Sequence, residues 1–511
     1  MEDSTIDDRA GRSPLIEAFG ITGLYGYRTI SLDAGNAATI LIAKNGSGKT
    51  TLLGVLNAFL SGQFIRLKGL EFESVYCKLR NNDDMLVLSK VDLESGLTVP
   101  KSGEFATLVS KTGLQSQQLF QFLLEEYPLI QRSREASFDN QVFSMLIREY
   151  SYNSRRVEKI IEDLQHQIYG QNQNVFNIFQ SIKTALSGFE VLYLPTYRRV
   201  ELALRREQND ARNKKKAPRF DVEPNGLFTG DIQFGLTDIS DRLREINRKI
   251  VFDSNHQYRS ISAAIINDLI DGTYETAELS SSIPKKEDLE LLFSRVAQGR
   301  REVGAHFAVN IPNLEKIYSN KGVPKSSEKF LNYFLTQIDK VINSTRNVET
   351  RVQEFIDRCN AYLSMEEIST QFDEKDMIAS VDGKRLILNK ENLHVKVVTI
   401  PDERPVSLDA LSSGEKQMIS LFAKLYLYEA PKIVLIDEPE LSLSIEWQKK
   451  ILVDIVKSPM CEQLIAITHS PFVFDNELDS FAGSLHVSVN PVVVLFDEDE
   501  GKAFDVDGFD E

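Results

Sequence analysis

The nine residues Ala43-Lys44-Asn45-Gly46-Ser47-Gly48-Lys49-Thr50-Thr51 restrict the fold of this chain more than any other segment. A β-like stretch over residues 38–42 precedes them and an apolar run suited to a helix over residues 49–60 follows, so the glycines lie in a strand-to-helix turn. Such a turn aims backbone N–H groups and the positive end of a helix at one spot, the geometry that takes up the β- and γ-phosphates of a nucleotide. Lys49 supplies a fixed positive charge and the Thr50 hydroxyl a ligand for Mg²⁺, while Lys44, Asn45, Gly46, Ser47, Gly48 and Thr51 complete the cradle. Ala43 stands where the usual pattern has its first glycine, a mild departure wherever the backbone needs no positive φ.

Two later segments narrow the chemistry. Residues 433–436 are four consecutive aliphatics, as a buried central strand requires, and they deliver Asp437 and Glu438 at its end. Asp437 suits a Mg²⁺ shell and Glu438 suits activation of an attacking water. Residues 463–467 read as another buried strand, ending in Thr468-His469-Ser470-Pro471, with His469 placed to sense a γ-phosphate. Taken singly, each segment has a structural reading: a glycine turn joining strand to helix, a core strand meeting solvent, a histidine that merely packs. As an ordered set, with Leu411-Ser412-Ser413-Gly414-Glu415 ahead of the paired carboxylates, they describe an ATPase that takes ATP and Mg²⁺.

The rest of the chain limits what else it can do. At 511 residues it can bury two or three cores, and its 42% hydrophobic and 26% charged content is that of a globular protein. Residues 1–14 are polar and acidic, with no apolar core for a signal peptide, and no run approaches membrane-spanning length, which points to the cytoplasm and away from a membrane. Cys77, Cys359 and Cys461 are too dispersed for a metal-ligand pattern, and the six histidines form no cluster. A net charge of −16 argues against broad capture of nucleic acid. One local exception is residues 198–219, where Arg198, Arg199, Arg205, Arg206, Arg212, Lys214, Lys215, Lys216 and Arg219 face only Glu201, Glu207 and Asp210. The tail that begins at Asp497-Glu498-Asp499-Glu500 is acidic and reads as a solvated end.

Between Thr51 and Leu411 lie 359 residues, far more than a minimal head needs, so an inserted domain is expected there. Its helical rhythm shows in Ile239, Leu243, Ile246 and Ile250, and again through residues 327–363. The two helices would form either an antiparallel arm or part of a packed helical lobe. Residues 189–195 read as a strand running into Thr196-Tyr197-Arg198-Arg199, where a basic turn could meet nucleotide or nucleic acid. Four divisions result: an N-terminal lobe over residues 1–93, a mainly helical insertion over 94–376, a C-terminal lobe over 377–490, and a terminal strand and tail over 491–511.

On these motifs, over about residues 15–91 and 377–475, the chain resembles the SMC-like branch of ABC-type ATPase heads. That group includes RecF-type, OLD-type and many anti-phage defence ATPases. The resemblance implies a mixed sheet with flanking helices, and two heads that dimerise with each ATP held between one phosphate loop and the other subunit's signature segment. Ser412, Ser413, Gly414 and Glu415 would then approach the γ-phosphate in trans, and residues 440–444 would cross the dimer interface. Tyr25, Tyr27 and Arg28 lie in the first turn, from which an aromatic or basic side chain stacks on adenine in such heads; Tyr27 is the candidate, and a core strand position is the other reading of that residue. OLD-type proteins append a Toprim nuclease, for which about forty residues after Ser470 are too few, and Asp497 and Asp499 lack the accompanying glutamate motif. The combination with Leu194-Pro195-Thr196-Tyr197-Arg198-Arg199 looks most like the PtuA family of Septu and Septu-like retron systems, whose partner is an HNH nuclease, PtuB. The expectation is a homo-oligomeric ATPase that controls a separate nuclease; the alternative is a DNA-repair or recombination ATPase that clamps DNA directly.

Overall fold

The computed structural model describes residues 3–44, 46–80, 82–132, 140–151, 153–195, 236–276, 283–302, 312–318, 325–364, 383–407, 410–441 and 443–489. Their strands, in chain order, are β1 (Ile16–Leu24), β2 (Arg28–Asp33), β3 (Ala38–Ile42), β4 (Ser74–Leu79), β5 (Leu86–Ser89), β6 (Glu190–Leu194), β7 (Gly383–Leu388), β8 (Val395–Ile400), β9 (Pro405–Val406), β10 (Lys432–Asp437), β11 (Cys461–Thr468), β12 (Ala482–Ser484) and β13 (His486–Val489). Two compact units result. The first draws on Met1–Asp231, Ile433–Leu441 and Glu462–Glu511, the second on Ile232–Lys432 and Ser442–Cys461. The expected α/β class, mixed sheets with flanking helices interrupted by a long, mainly helical stretch, is what the chain adopts.

The first unit holds two sheets. An antiparallel one runs β13-β2-β1-β4-β5, and a second runs β12-β3-β11-β10-β6, with β11 and β12 parallel to β3. The aliphatic run of β10 is buried along its whole length, so it takes an interior position with neighbours on both sides. Gln463 staples the two sheets together. Its side-chain oxygen accepts from the N–H groups of Leu15 and Ile16 at 2.9 and 2.8 Å, and its amide donates to the Ile16 carbonyl at 3.0 Å. A buried amide this fully used is favourable, because every polar atom it covers has a partner.

The boundary expected at residue 93 is not a unit boundary. The short helices Glu104–Thr112, Ser116–Gln121, Gln141–Glu149, Ser154–Tyr169 and Gln173–Ala185 pack into the same core as β1 and the helix Lys49–Leu60. A ladder of rings shows the path: Phe19 to Phe59 at 6.0 Å, Phe59 to Phe64 at 5.6 Å, Phe64 to Tyr169 at 5.8 Å, and Tyr169 to Phe179 at 4.3 Å. Helices this short are not stable alone and take their stability from the surface they cover.

In the second unit the helices Leu236–Asp271 and Lys325–Leu363 pair. Tyr333 bonds to Asp268, whereas Lys249 shares Glu429 with Arg351, so the two run antiparallel. They do not stand free as an arm: Leu335, Ile338 and Val341 join Leu289, Leu292 and Phe293 of the helix Lys286–Glu302 in a common core. The sheet β7-β8-β9 and the helices Ser413–Leu427 and Ile445–Lys457 complete this unit. The expected strand over residues 491–496 and the acidic tail lie outside the described residues, as does the basic stretch 198–219.

Candidate functional site

Register brings the motif ends together in the first unit. β3 and β11 pair from Ala38 with Leu464 to Ile42 with Thr468, and Ala43 N–H then donates to the Thr468 carbonyl at 3.1 Å. Glu438 N–H donates to the Ile467 carbonyl at 2.8 Å, which extends the pairing of β10 with β11 by one residue. The loop after β3, the carboxylates after β10 and His469 after β11 therefore share one edge of the sheet, where α/β folds present ligand-binding groups.

The loop has the backbone its glycines predict. Gly46 and Gly48 have φ of 77° and 93°, and a Cβ at Gly48 would come 2.4 Å from Ile30 Cδ1. Ala43, at the position where the usual glycine is missing, is not in the left-handed region. The helix Lys49–Leu60 starts at Gly48 with no side-chain cap and no acidic residue in its first turn, so its positive end is not neutralised locally. The Ser47 hydroxyl oxygen is shielded from solvent and has no hydrogen-bond partner among the described residues. Lys44 is exposed, Thr50 and Thr51 are half-buried, and Asn45 lies outside the described residues.

Lys49 is buried, and its ammonium lies 3.0 Å from Glu438 Oε1 and 3.4 Å from the Ala43 carbonyl. Asp437, 2% exposed, ends the buried strand. Glu438 turns the chain with φ of 54°, a conformation rare for a residue other than glycine, and Leu441 N–H closes the turn on its carbonyl at 3.1 Å. His469 is well exposed. Its Nδ1 lies 2.8 Å from Glu440 Oε1 but 3.8 Å from Glu438 Oε1. Sequence reasoning placed Lys49, Glu438 and His469 in one site, and the structure brings these three together.

One further residue of the site was missed as such: Glu440, which holds both Thr468 and His469. Arg28, which the sequence places in the same turn as Tyr27, donates to the Gly46 carbonyl at 2.8 Å and lies 5.2 Å from the centre of the Tyr27 ring. Tyr27 is 39% exposed, not a core position.

The signature segment belongs to the second unit. Ser412 caps the helix Ser413–Leu427: its hydroxyl accepts from Glu415 N–H at 3.3 Å, while Glu415 Oε2 accepts from Ser412 N–H at 2.6 Å. Lys384 of β7 donates to both Glu415 oxygens at 3.0 Å. Burial raises the Glu415 pKa, but the Lys384 bonds, the Ser412 bonds and the Lys384 charge outweigh it and leave the carboxyl below its ordinary range. Gly414 is buried, and the Ser413 side chain lies outside the described residues.

The donor set fits a nucleotide with Mg²⁺. It offers a buried ammonium, an uncapped helix start, a shielded hydroxyl, and one carboxylate with one threonine for a cation that keeps most of its ligands from water and phosphate. Among the described residues no group of three or more His, Cys, Asp or Glu could hold a metal, and no helix is long and apolar enough to cross a membrane. Asp497 and Asp499 lie outside the described residues.

No curated protein matches the chain. Among solved structures it is similar to the Smc head domain with an extended coiled coil from Pyrococcus furiosus, solved bound to the C-terminal domain of ScpA. Identity is 12%, the TM-score 0.31, and the match covers 93% of this chain and 96% of that one. The sequence pattern of the AAA ATPase domain matches residues 16–474, most of the chain. The chain belongs to the AAA ATPase domain family.

Proposed function

We propose that this chain binds ATP with Mg²⁺ at the phosphate loop and hydrolyses it, and that the hydrolytic cycle controls a separate HNH-type nuclease in anti-phage defence. The observation that carries the ATPase part is the Lys49–Glu438 pair, which holds the phosphate-binding cation and the water-activating carboxylate 3.0 Å apart at one sheet edge. Entry of the β- and γ-phosphates exchanges the partner of Lys49, from Glu438 to phosphate oxygen. Glu438, released, accepts the proton of the water that attacks the γ-phosphorus as the bond to the ADP oxygen breaks. Thr50 and Asp437 would hold Mg²⁺, which would supply charge neutralisation at the phosphate oxygens. As the imidazolium, His469 adds an Nε2 donor toward the γ-phosphate, Tyr27 stacks on adenine, and a second copy supplies Ser412, Ser413 and Gly414 in trans, so the working form is a homodimer or larger assembly.

The test pairs two variants. Lys49→Ala loses ATP binding, whereas Glu438→Gln binds ATP and hydrolyses it poorly; equal loss of binding in both would overturn this division of roles. The defence role rests on the sequence resemblance set out above. Co-expression with the product of a neighbouring HNH-type gene is expected to yield a complex that cuts DNA, while this chain alone does not. Direct DNA clamping without any nuclease partner, abolished by neutralising Lys214, Lys215 and Lys216, would favour a repair or recombination ATPase instead.

A further inference from the structure

The geometry points to Glu440 as the positioning residue of His469, the group that fixes which way the ring lies and which of its nitrogens carries the proton. The consequence for hydrolysis rests on the ATPase reading above; the hold on the ring does not. His469 follows the last residue of β11 and has lost the ladder, so its well-exposed ring would otherwise rotate freely. Glu440, buried, prevents this at three points. Oε1 accepts the His469 backbone N–H at 3.1 Å and lies 2.8 Å from ring Nδ1. Oε2 accepts the hydroxyl of Thr468 at 2.8 Å, and that hydroxyl oxygen in turn accepts Ser470 N–H at 3.0 Å.

A division of labour between two glutamates follows. Glu438 faces Lys49 and is too far from Nδ1, at 3.8 Å, to hydrogen-bond it. Glu440 takes the ring. A carboxylate against Nδ1 keeps the proton on that nitrogen, so in the neutral ring Nε2 is an acceptor and becomes a donor only on the imidazolium. The three contacts span the turn after β10 and the end of β11, so one side chain locks the His469 turn to the turn that carries Glu438.

Glu440→Gln is the test, because the amide keeps the shape and one acceptor oxygen while removing the charge and turning the other oxygen into a donor. The ¹⁵N spectrum of histidine-labelled full-length protein is read first, with the His469 signals assigned from their disappearance in His469→Asn. Wild type is expected to show the Nδ1-protonated pattern and Glu440→Gln a shift toward the Nε2-protonated tautomer. Hydrolysis is read second. By analogy with other groups that orient a functional histidine, kcat should fall by about 10–100-fold, with the KM for ATP within about threefold of wild type, and the loss should largely vanish in a His469→Ala background. An unchanged tautomer pattern, or an equal loss of rate with and without His469, would overturn the assignment. If Glu438→Gln hydrolyses ATP as wild type does, the ATPase reading fails, and the spectrum alone decides whether Glu440 positions the ring.

Discussion

Glu438→Gln should bind ATP more tightly than wild type, not only hydrolyse it more slowly. In the structure the carboxylate sits 3.0 Å from the Lys49 ammonium, with side-chain exposures of 17% and 5%. At that distance an effective dielectric of about 20 gives about 5 kcal/mol of gross attraction. Desolvation of both ions consumes much of it, and a charge-assisted bond of this kind nets about 1–3 kcal/mol. Phosphate must take the lysine from the carboxylate in wild type, so that net energy is subtracted from binding. With glutamine there is little to displace, and the gain is about 5- to 140-fold in affinity. The free variant should also melt at a lower temperature, since Lys49 stays buried with a weaker partner, while the nucleotide-saturated forms converge. Displacement of a fluorescent ATP analogue, with a non-hydrolysable nucleotide as competitor for both proteins, measures the first effect and calorimetric melting the second. Equal or weaker affinity in the variant, with the same melting deficit free and bound, would refute the idea that the pair is a resting contact broken by phosphate.

Gln463→Leu removes three buried hydrogen bonds between β1 and β11 and leaves two N–H groups and a carbonyl without partners, so a loss of about 3–6 kcal/mol is expected by denaturant melting; a loss under about 1 kcal/mol would mean the sheets are not joined there. Lys384→Met should weaken the capped start of the signature helix by about 1–2 kcal/mol at neutral pH. Because the folded Glu415 pKa is depressed, this contribution is present above the unfolded value near 4.5 and is lost as pH falls through the lower folded value, so wild type and variant should converge in acid; a pH-independent difference would refute it. Trp447, the single tryptophan, is half-buried with its ring edge-on to Tyr362 at 5.4 Å. Its emission should change on ATP addition to Glu438→Gln, and the change should vanish with Ser412→Arg; a signal that survives while sedimentation shows only monomers would refute the two-headed arrangement.

What the sequence made legible is what depends on neighbours in sequence. The phosphate loop announces itself because positive φ at Gly46 and Gly48 is a local demand, and β10 does so because four aliphatics in a row can only be buried. Lys49 and Glu438 are 389 residues apart, yet each was identifiable from its own motif. The membership of residues 104–185 in the first unit was not legible. Their short amphipathic faces would suit any apolar surface, and nothing in their spacing says that Tyr169 meets Phe64. The residue order Asp437-Glu438-Pro439-Glu440 shows two acids and a proline, but not that the turn at Glu438 sends one toward Lys49 and the other toward His469. That sorting comes from the register of β3 against β11 and from the Glu438-to-Ile467 bond, which no local pattern contains. A motif therefore names single groups, whereas the side chains that hold them, Glu438 for Lys49, Glu440 for His469 and Lys384 for Glu415, come from other parts of the chain and are set by the fold.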